Sequence, residues 1–324
     1  MMSRALCLIA GLGMFASTAN GADLISLHVF MQPMARALPF YVGVEKEFFA
    51  DRGLRVELEF TESSANQRDA LASGKADIVY SAVDNAVAMV EVDKKDVVIV
   101  TGGDSGTNEF YVQDYVKKLS DIRGHAVAVD ATNTAYALQV KKILLQHGLK
   151  DDSDYKLNPV GNGSLRLKSM IEDKNNAAAI LNLPYSLQAE TVGLKSMGRT
   201  IDMIGPYQAA GSFTLRAWAT TNSSTLEQYI AALVESLRWT LDAKNRAEAV
   251  AILIDKFKLP ESIAERTYDL MSDPVFGFAP DAKFNMDGFK NVLALRAEIE
   301  GRTPAAPDRY VDLSYYERAI NLAK

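Results

Sequence analysis

The side chains best suited to chemistry in this 324-residue chain fall in short polar segments that directly follow apolar runs. Met31 to Ala37 carries Gln32 and Arg36, with Phe40 just beyond. A guanidinium fits the paired oxygens of a carboxylate or sulfonate, so Arg36 is the natural anion anchor, set against the plainer reading of a solvated loop arginine. In Ser81-Ala82-Val83-Asp84-Asn85, Ser81 or Asp84 either caps the next helix or faces a cleft. Asp130 to Tyr136 places Thr132, Asn133 and Thr134 at a helix start, where they cap the helix or offer donors and acceptors to a ligand. Tyr136 either walls a pocket or packs on its own helix. Asn182, Pro184 and Tyr185 form a fourth group and Tyr207 with Gln208 a fifth, each readable as turn or hinge as well as contact. Aromatic walls favour an organic ligand with an apolar part over a bare inorganic ion.

Other chemistries lack their residues. Cys7 is the only cysteine and lies in an N-terminal apolar run, so a chain without that run has no disulfide, thiol nucleophile or cysteine metal ligand. His28, His125 and His147 are too far apart for the near spacing of common zinc motifs, and no metal or other cofactor is expected. Gly161-Asn162-Gly163-Ser164-Leu165-Arg166 sits between a strand and a helix as a dinucleotide fingerprint would, but Arg166 replaces the third glycine. No G-x-S-x-G elbow is present. A net charge of -6, with no long basic cluster, argues against nucleic acid.

Elements that could hold these segments in place are legible in the periodicity. Apolar runs at Leu24–Phe30, Leu54–Phe60, Asp77–Tyr80 and Val97–Thr101 alternate with helical stretches from Pro39, Asn66–Ser73 and Asn85–Val92. A second series begins near Asn108, with strands at Ala126–Asp130, Lys156–Val160 and Ala177–Leu181 and helices at Thr134–Gln146 and Ser164–Asp173. Continuous apolar strands alternating with helices indicate parallel sheets covered on both faces. From Ser224 onward helical spacing dominates, as in Leu226, Ile230, Leu233, Val234 and Leu237. The length predicts about two domains. In open parallel α/β sheets ligands sit outside the carboxyl ends of the strands, which is where the five polar groups lie.

The N-terminus reads as a leader. Arg4 precedes an apolar run from Ala5 to Ala16, and Ala19-Asn20-Gly21 supplies small residues for cleavage, so residues 1–21 are expected to be a signal peptide rather than an anchor. The full sequence, with 48% hydrophobic and 23% charged residues, has the composition of a globular protein, and no stable membrane insertion is expected.

Leu38 to Phe49, Gly53 to Glu57, Ala70 to Ile78, Leu119 to Val129 and Asn182-Leu183-Pro184 together resemble the NMT1/THI5-like, NitT/TauT-type substrate-binding proteins of ABC importers. The resemblance implies a periplasmic binding protein of type II: two α/β lobes joined by two hinge crossovers around a ligand cleft, with extra C-terminal helices. It places residues 22–108 and 213–324 in one lobe and 109–212 in the other, with crossovers near Gly106–Gln113 and Tyr207–Arg216. It further implies a periplasmic monomer that binds a small molecule and delivers it to a membrane permease with a cytoplasmic ATPase. Sulfonates, carboxylates, aromatic acids and pyrimidines are the expected ligand classes. Two alternatives stay open: an enzyme of pyrimidine or related metabolism on the same fold, although the cysteine-rich motif of such relatives is missing, and a periplasmic sensory module.

Overall fold

A computed structural model describes residues 24–323. The expected leader, residues 1–21, lies outside the described residues. The first lobe opens with β1 (Ile25–Met31), α1 (Leu38–Glu45), β2 (Leu54–Phe60), α2 (Ser64–Ala72), β3 (Ile78–Ala82), α3 (Asp84–Glu91) and β4 (Val97–Ile99). The second is built from β5 (Glu109–Val112), β6 (Ala126–Val129), α4 (Ala135–Gln146), β7 (Lys156–Pro159), α5 (Gly163–Glu172), β8 (Asn176–Leu181), α6 (Tyr185–Thr191), β9 (Lys195–Arg199) and α7 (Thr200–Ile204). The chain then returns through β10 (Ala210–Leu215) and ends in α8 (Arg216–Thr221), α9 (Ser223–Leu241), α10 (Arg246–Phe257), α11 (Glu261–Met271), α12 (Met286–Glu300) and α13 (Ser314–Ile320).

The sheets share one plan. The first has the order β2-β1-β3-β10-β4 and the second β7-β6-β8-β5-β9. In each, three parallel strands are followed by an antiparallel strand that has just arrived from the other lobe. The sheets are therefore mixed rather than wholly parallel as periodicity suggested. The signal for the returning strands is weak: Ala209-Ala210-Gly211-Ser212 has none of the β-branched or aromatic residues that mark a strand. As a result β10 rejoins the first sheet at Ala210, where it opposes Ala82, three residues before the expected return at Phe213. Likewise Glu109–Val112, inside the expected first crossover, is already strand.

Alternation places successive side chains on opposite faces of each sheet. Leu27, Val29 and Met31 of β1 pack with Tyr229, Ile230 and Leu233 of α9, while Phe30 joins the opposite core with Val79 and Val97. In the second sheet Val127, Val129 and Ile180 face α4, and Ala128, Ala179 and Leu181 face Leu167 and Met170 of α5. Both faces are buried, which is why the strands read as unbroken apolar runs. The helical spacing after Ser224 proves to be one face of the 19-residue α9.

The two connections between the sheets run side by side, with Ala209 N donating to Asp104 O at 3.0 Å and Val83 N to Ala209 O at 3.0 Å. Gly106 takes φ +90° in the first connection, a conformation a side chain would strain. Gln208 steadies the second: its Nε2 donates to Ala210 O at 2.6 Å and its Oε1 accepts from Asn285 N at 2.6 Å.

Candidate functional site

The carboxyl ends of β1 and β3 in the first lobe and of β6 and β8 in the second face one another across the lobe boundary. Gln32, Met34, Arg36, Tyr80, Ser81, Ala82 and Tyr136 line one small cavity of about 10 Å³, room for about a single water. Five of the sequence candidates, Gln32, Arg36, Ser81, Ala82 and Tyr136, are thus brought together. Met34 and Tyr80 were missed: Tyr80 lies inside an apolar strand, and nothing in the sequence says that strand's end opens on a cavity. A larger groove of about 500 Å³ in the first lobe is lined by Arg52, Glu235 and Gln228, but there Arg52 already pairs with Glu235 at 2.8 Å and donates to Gln228 at 2.9 Å.

Arg36 sits on the 3-10 turn Ala35–Ala37 that joins β1 to α1, with only 7% of its surface exposed. Its Nε lies 3.3 Å from Asp104 Oδ2, and Asp104 Oδ1 accepts from Gly106 N at 2.8 Å. Neither terminal guanidinium nitrogen has a hydrogen-bond partner among the described residues, which leaves both to the cavity. Burial lowers the Arg36 pKa, but Asp104 with Tyr136 and Tyr80 outweighs it, and the net shift is upward. Asp104 is the other residue sequence reasoning missed. Its signal, an acid among glycines in a crossover, is that of an ordinary turn.

The remaining lining groups are mostly donors. The Tyr80 hydroxyl is pushed far above its ordinary value by burial and by Asp104, so it keeps its proton. Tyr136 Oη accepts from Asn182 Nδ2 at 2.6 Å, leaving its own proton without an acceptor among the described residues. Ser81 Oγ accepts a longer bond from Asn85 Nδ2 at 3.4 Å and likewise retains its proton. Gln32 Nε2 is shared between Ser64 Oγ at 3.3 Å and Asp130 Oδ2 at 3.5 Å, so Gln32 offers Oε1 instead. No carboxylate lines the cavity. A guanidinium and three hydroxyls in search of acceptors make a site for an oxyanion.

The other candidates have different places. Phe40 is fully buried in the core, its ring tilted at 55° to that of Tyr80 with centroids 4.6 Å apart, so it supports a cavity wall from behind. Thr132 is exposed and lines nothing. Thr134 is buried and bonds the Asp130 carboxylate. Asp84 does not face the cavity: Arg296 of α12 grips it with two bonds of 2.6 and 2.7 Å. Arg296 also donates to Asn133 Oδ1 at 3.0 Å, so Asn133 ties the lobes together outside the cavity. Tyr207 is buried beside this network. Pro184 precedes α6, whose Tyr185 Oη donates across the boundary to Pro33 O at 2.7 Å. Nearby, Ala35 N reaches Leu183 O at 3.0 Å, and on the other side of the cavity Ser64 N reaches Asp130 Oδ2 at 3.3 Å. The lobes therefore meet directly around the site.

Among the described residues no group of three or more His, Cys, Asp or Glu could hold a metal ion, and no helix is long and apolar enough to cross a membrane.

Comparison with known proteins places this architecture. A protein of Bordetella bronchiseptica RB50 superposes with a TM-score of 0.79 at 19% identity, covering 93% of this chain and 98% of that one. The periplasmic nitrate-binding protein NrtA of Synechocystis PCC 6803 gives 0.75 at 16%, covering 94% and 90%. The alkanesulfonate-binding protein SsuA of Xanthomonas axonopodis pv. citri, bound to MOPS, gives 0.71 at 14%, covering 92% and 95%. At such identities these likenesses establish the fold, two α/β lobes of the periplasmic binding protein kind. No curated protein sequence matches significantly. The family described as NMT1/THI5 like matches residues 35–247, about two thirds of the sequence, and the chain belongs to that family.

Proposed function

We propose that this protein is the periplasmic solute-binding component of an ABC importer, and that it closes on a small organic oxyanion and delivers it to the permease without chemical change. The observation that carries this reading is the cavity between the sheet ends, where the two terminal nitrogens of Arg36 and the hydroxyls of Tyr80, Ser81 and Tyr136 have no acceptor of their own. Its volume of about 10 Å³, room for about one water, means that the lobes are tightly closed here and must part to admit a ligand. A short carboxylate or sulfonate needs less opening of the lobes than a pyrimidine or a large aromatic acid does. The apolar surfaces of Met34 and Ala82 and the rings of Tyr80 and Tyr136 supply walls for its carbon part. Family membership and the shared fold with nitrate- and alkanesulfonate-binding proteins support the same role.

In this reading the hinge lies in the paired connections at 100–108 and 205–209, and closure is linked to ligand because the contacts of both lobes are complete only when they meet. Thermal melting against a panel of short sulfonates, carboxylates, aromatic acids, pyrimidines and inorganic anions tests the proposal. A ligand at one hundred times its Kd adds about 2.7 kcal/mol of stability. A saturable hit among the short organic oxyanions, recovered unchanged, supports it. A hit that is consumed moves the chain to the enzyme alternative, and stabilisation by cations or neutral compounds alone overturns the oxyanion reading.

A further inference from the structure

Three arginines are buried among the described residues: Arg36, Arg166 and Arg296. Arg36 has Asp104 and Arg296 has Asp84 and Glu300. Arg166 has no carboxylate within ion-pair distance among the described residues, although its side chain is fully buried. Its Nε donates to Ile180 O at 3.0 Å and its Nη1 to Gly161 O at 3.0 Å, while Nη2 has no partner. A buried cation that meets only carbonyl dipoles is expensive, and folds retain one where the charge is used.

The location of Arg166 says what uses it. Its guanidinium carbon lies 4.2 Å from the centroid of the Tyr136 ring, and that ring lines the cavity with Arg36. A cation on the ring draws electron density from the phenol, and the bond Tyr136 Oη accepts from Asn182 Nδ2 acts in the same direction. Both strengthen the phenol proton as a donor to the cavity. Arg36 is largely met by Asp104, and Asp130, the other nearby acid, is turned to Ser64 N and Thr134. The unmatched positive charge therefore belongs to Arg166.

We infer that the ligand's own negative charge is the counter-ion of Arg166, which acts through the Tyr136 ring as a specificity-determining residue that selects anions over their neutral isosteres. This role rests on the reading of the cavity as an oxyanion site. It gives a function to the segment Gly161 to Arg166, where an arginine stands in place of the third glycine of a dinucleotide loop.

Calorimetric titration with two matched pairs, ethanesulfonate against ethanesulfonamide and propionate against propionamide, tests the inference on wild type, Arg166→Gln and Arg166→Lys. Two charges about 8 Å apart across a ring in a protein-like dielectric imply a loss of about thirtyfold in anion affinity for Arg166→Gln. Affinity for the neutral partner should not change, and Arg166→Lys, which keeps the charge and loses the fork, should stay within about threefold of wild type for the anion. Equal losses for Gln and Lys, or a wild-type anion affinity in Arg166→Gln, overturn this inference and leave the oxyanion reading intact. A wild-type protein that binds neither anion overturns that reading and this inference with it. Should Arg166→Gln fail to fold, Asn182→Asp supplies a carboxylate beside the same phenol without change of shape: a raised melting temperature with weakened anion binding supports the role of Arg166, and a lowered melting temperature overturns it.

Discussion

Arg296 and Arg36 stand on the same lobe and both reach the boundary with the other, yet their surroundings are opposite. Every nitrogen of the Arg296 guanidinium is engaged, by Asp84 at 2.6 and 2.7 Å, by Glu300 at 2.5 Å and by Asn133 at 3.0 Å. Arg36 is held by Nε alone at 3.3 Å from Asp104. A saturated buried arginine can only be structural, since any further acceptor must break an existing bond. One held by a single nitrogen is oriented without being used up, the arrangement that preorganises a binding site.

Removing the saturated arginine should have the largest effect. Arg296→Met strands Asp84 as a buried carboxylate and should lower unfolding free energy by about 3–5 kcal/mol, read from the urea midpoint. If Arg296→Met unfolds at the wild-type midpoint, the contrast between the two arginines is void. Next, Arg36→Ala should weaken binding of a short carboxylate or sulfonate by at least about 1 kcal/mol, with charge-assisted bonds worth up to about 3 kcal/mol, and calorimetry on the best hit of the panel measures it. Unchanged affinity would return Arg36 to a structural role beside Asp104. Tyr185→Phe deletes the bond to Pro33 O and should cost about 1 kcal/mol of the closed state, seen as a faster ligand dissociation rate with little change in the urea midpoint. Thr132→Ala, at an exposed position, should change neither stability nor affinity by more than about 0.5 kcal/mol. A clear loss of affinity there would mean that the cavity extends farther into the second lobe.

The sequence reveals residues that follow a strong strand and precede a helix. Gln32, Arg36, Ser81, Ala82 and Tyr136 could be located because β1, β3 and β6 are continuous apolar runs whose ends are marked, and the strand-end rule does the rest. What is not marked is direction and partner. Asp84 reads as a capping acid because its partner lies 212 residues away on α12, at a position periodicity assigns simply to a helix. Asp104 and the small-residue start of β10 belong to connections, where no period exists to betray them. Arg166 was visible only as a fault in a motif, and its meaning depends on Tyr136, thirty residues earlier and reached through packing rather than sequence.

The placement of β10 also governs when the first lobe can exist. Among the described residues β4 has no strand partner except β10 on one side and an isolated bridge from Ile99 to Val311 on the other, and β10 is also what covers the edge of β3. During synthesis the chain through β4 therefore emerges with an uncovered edge on β3 and an unattached β4, and it stays so until more than a hundred further residues have followed. A nascent chain of this design cannot finish either its first sheet or its cavity early, so both are late products of synthesis, completed only once the second lobe's strands have been made.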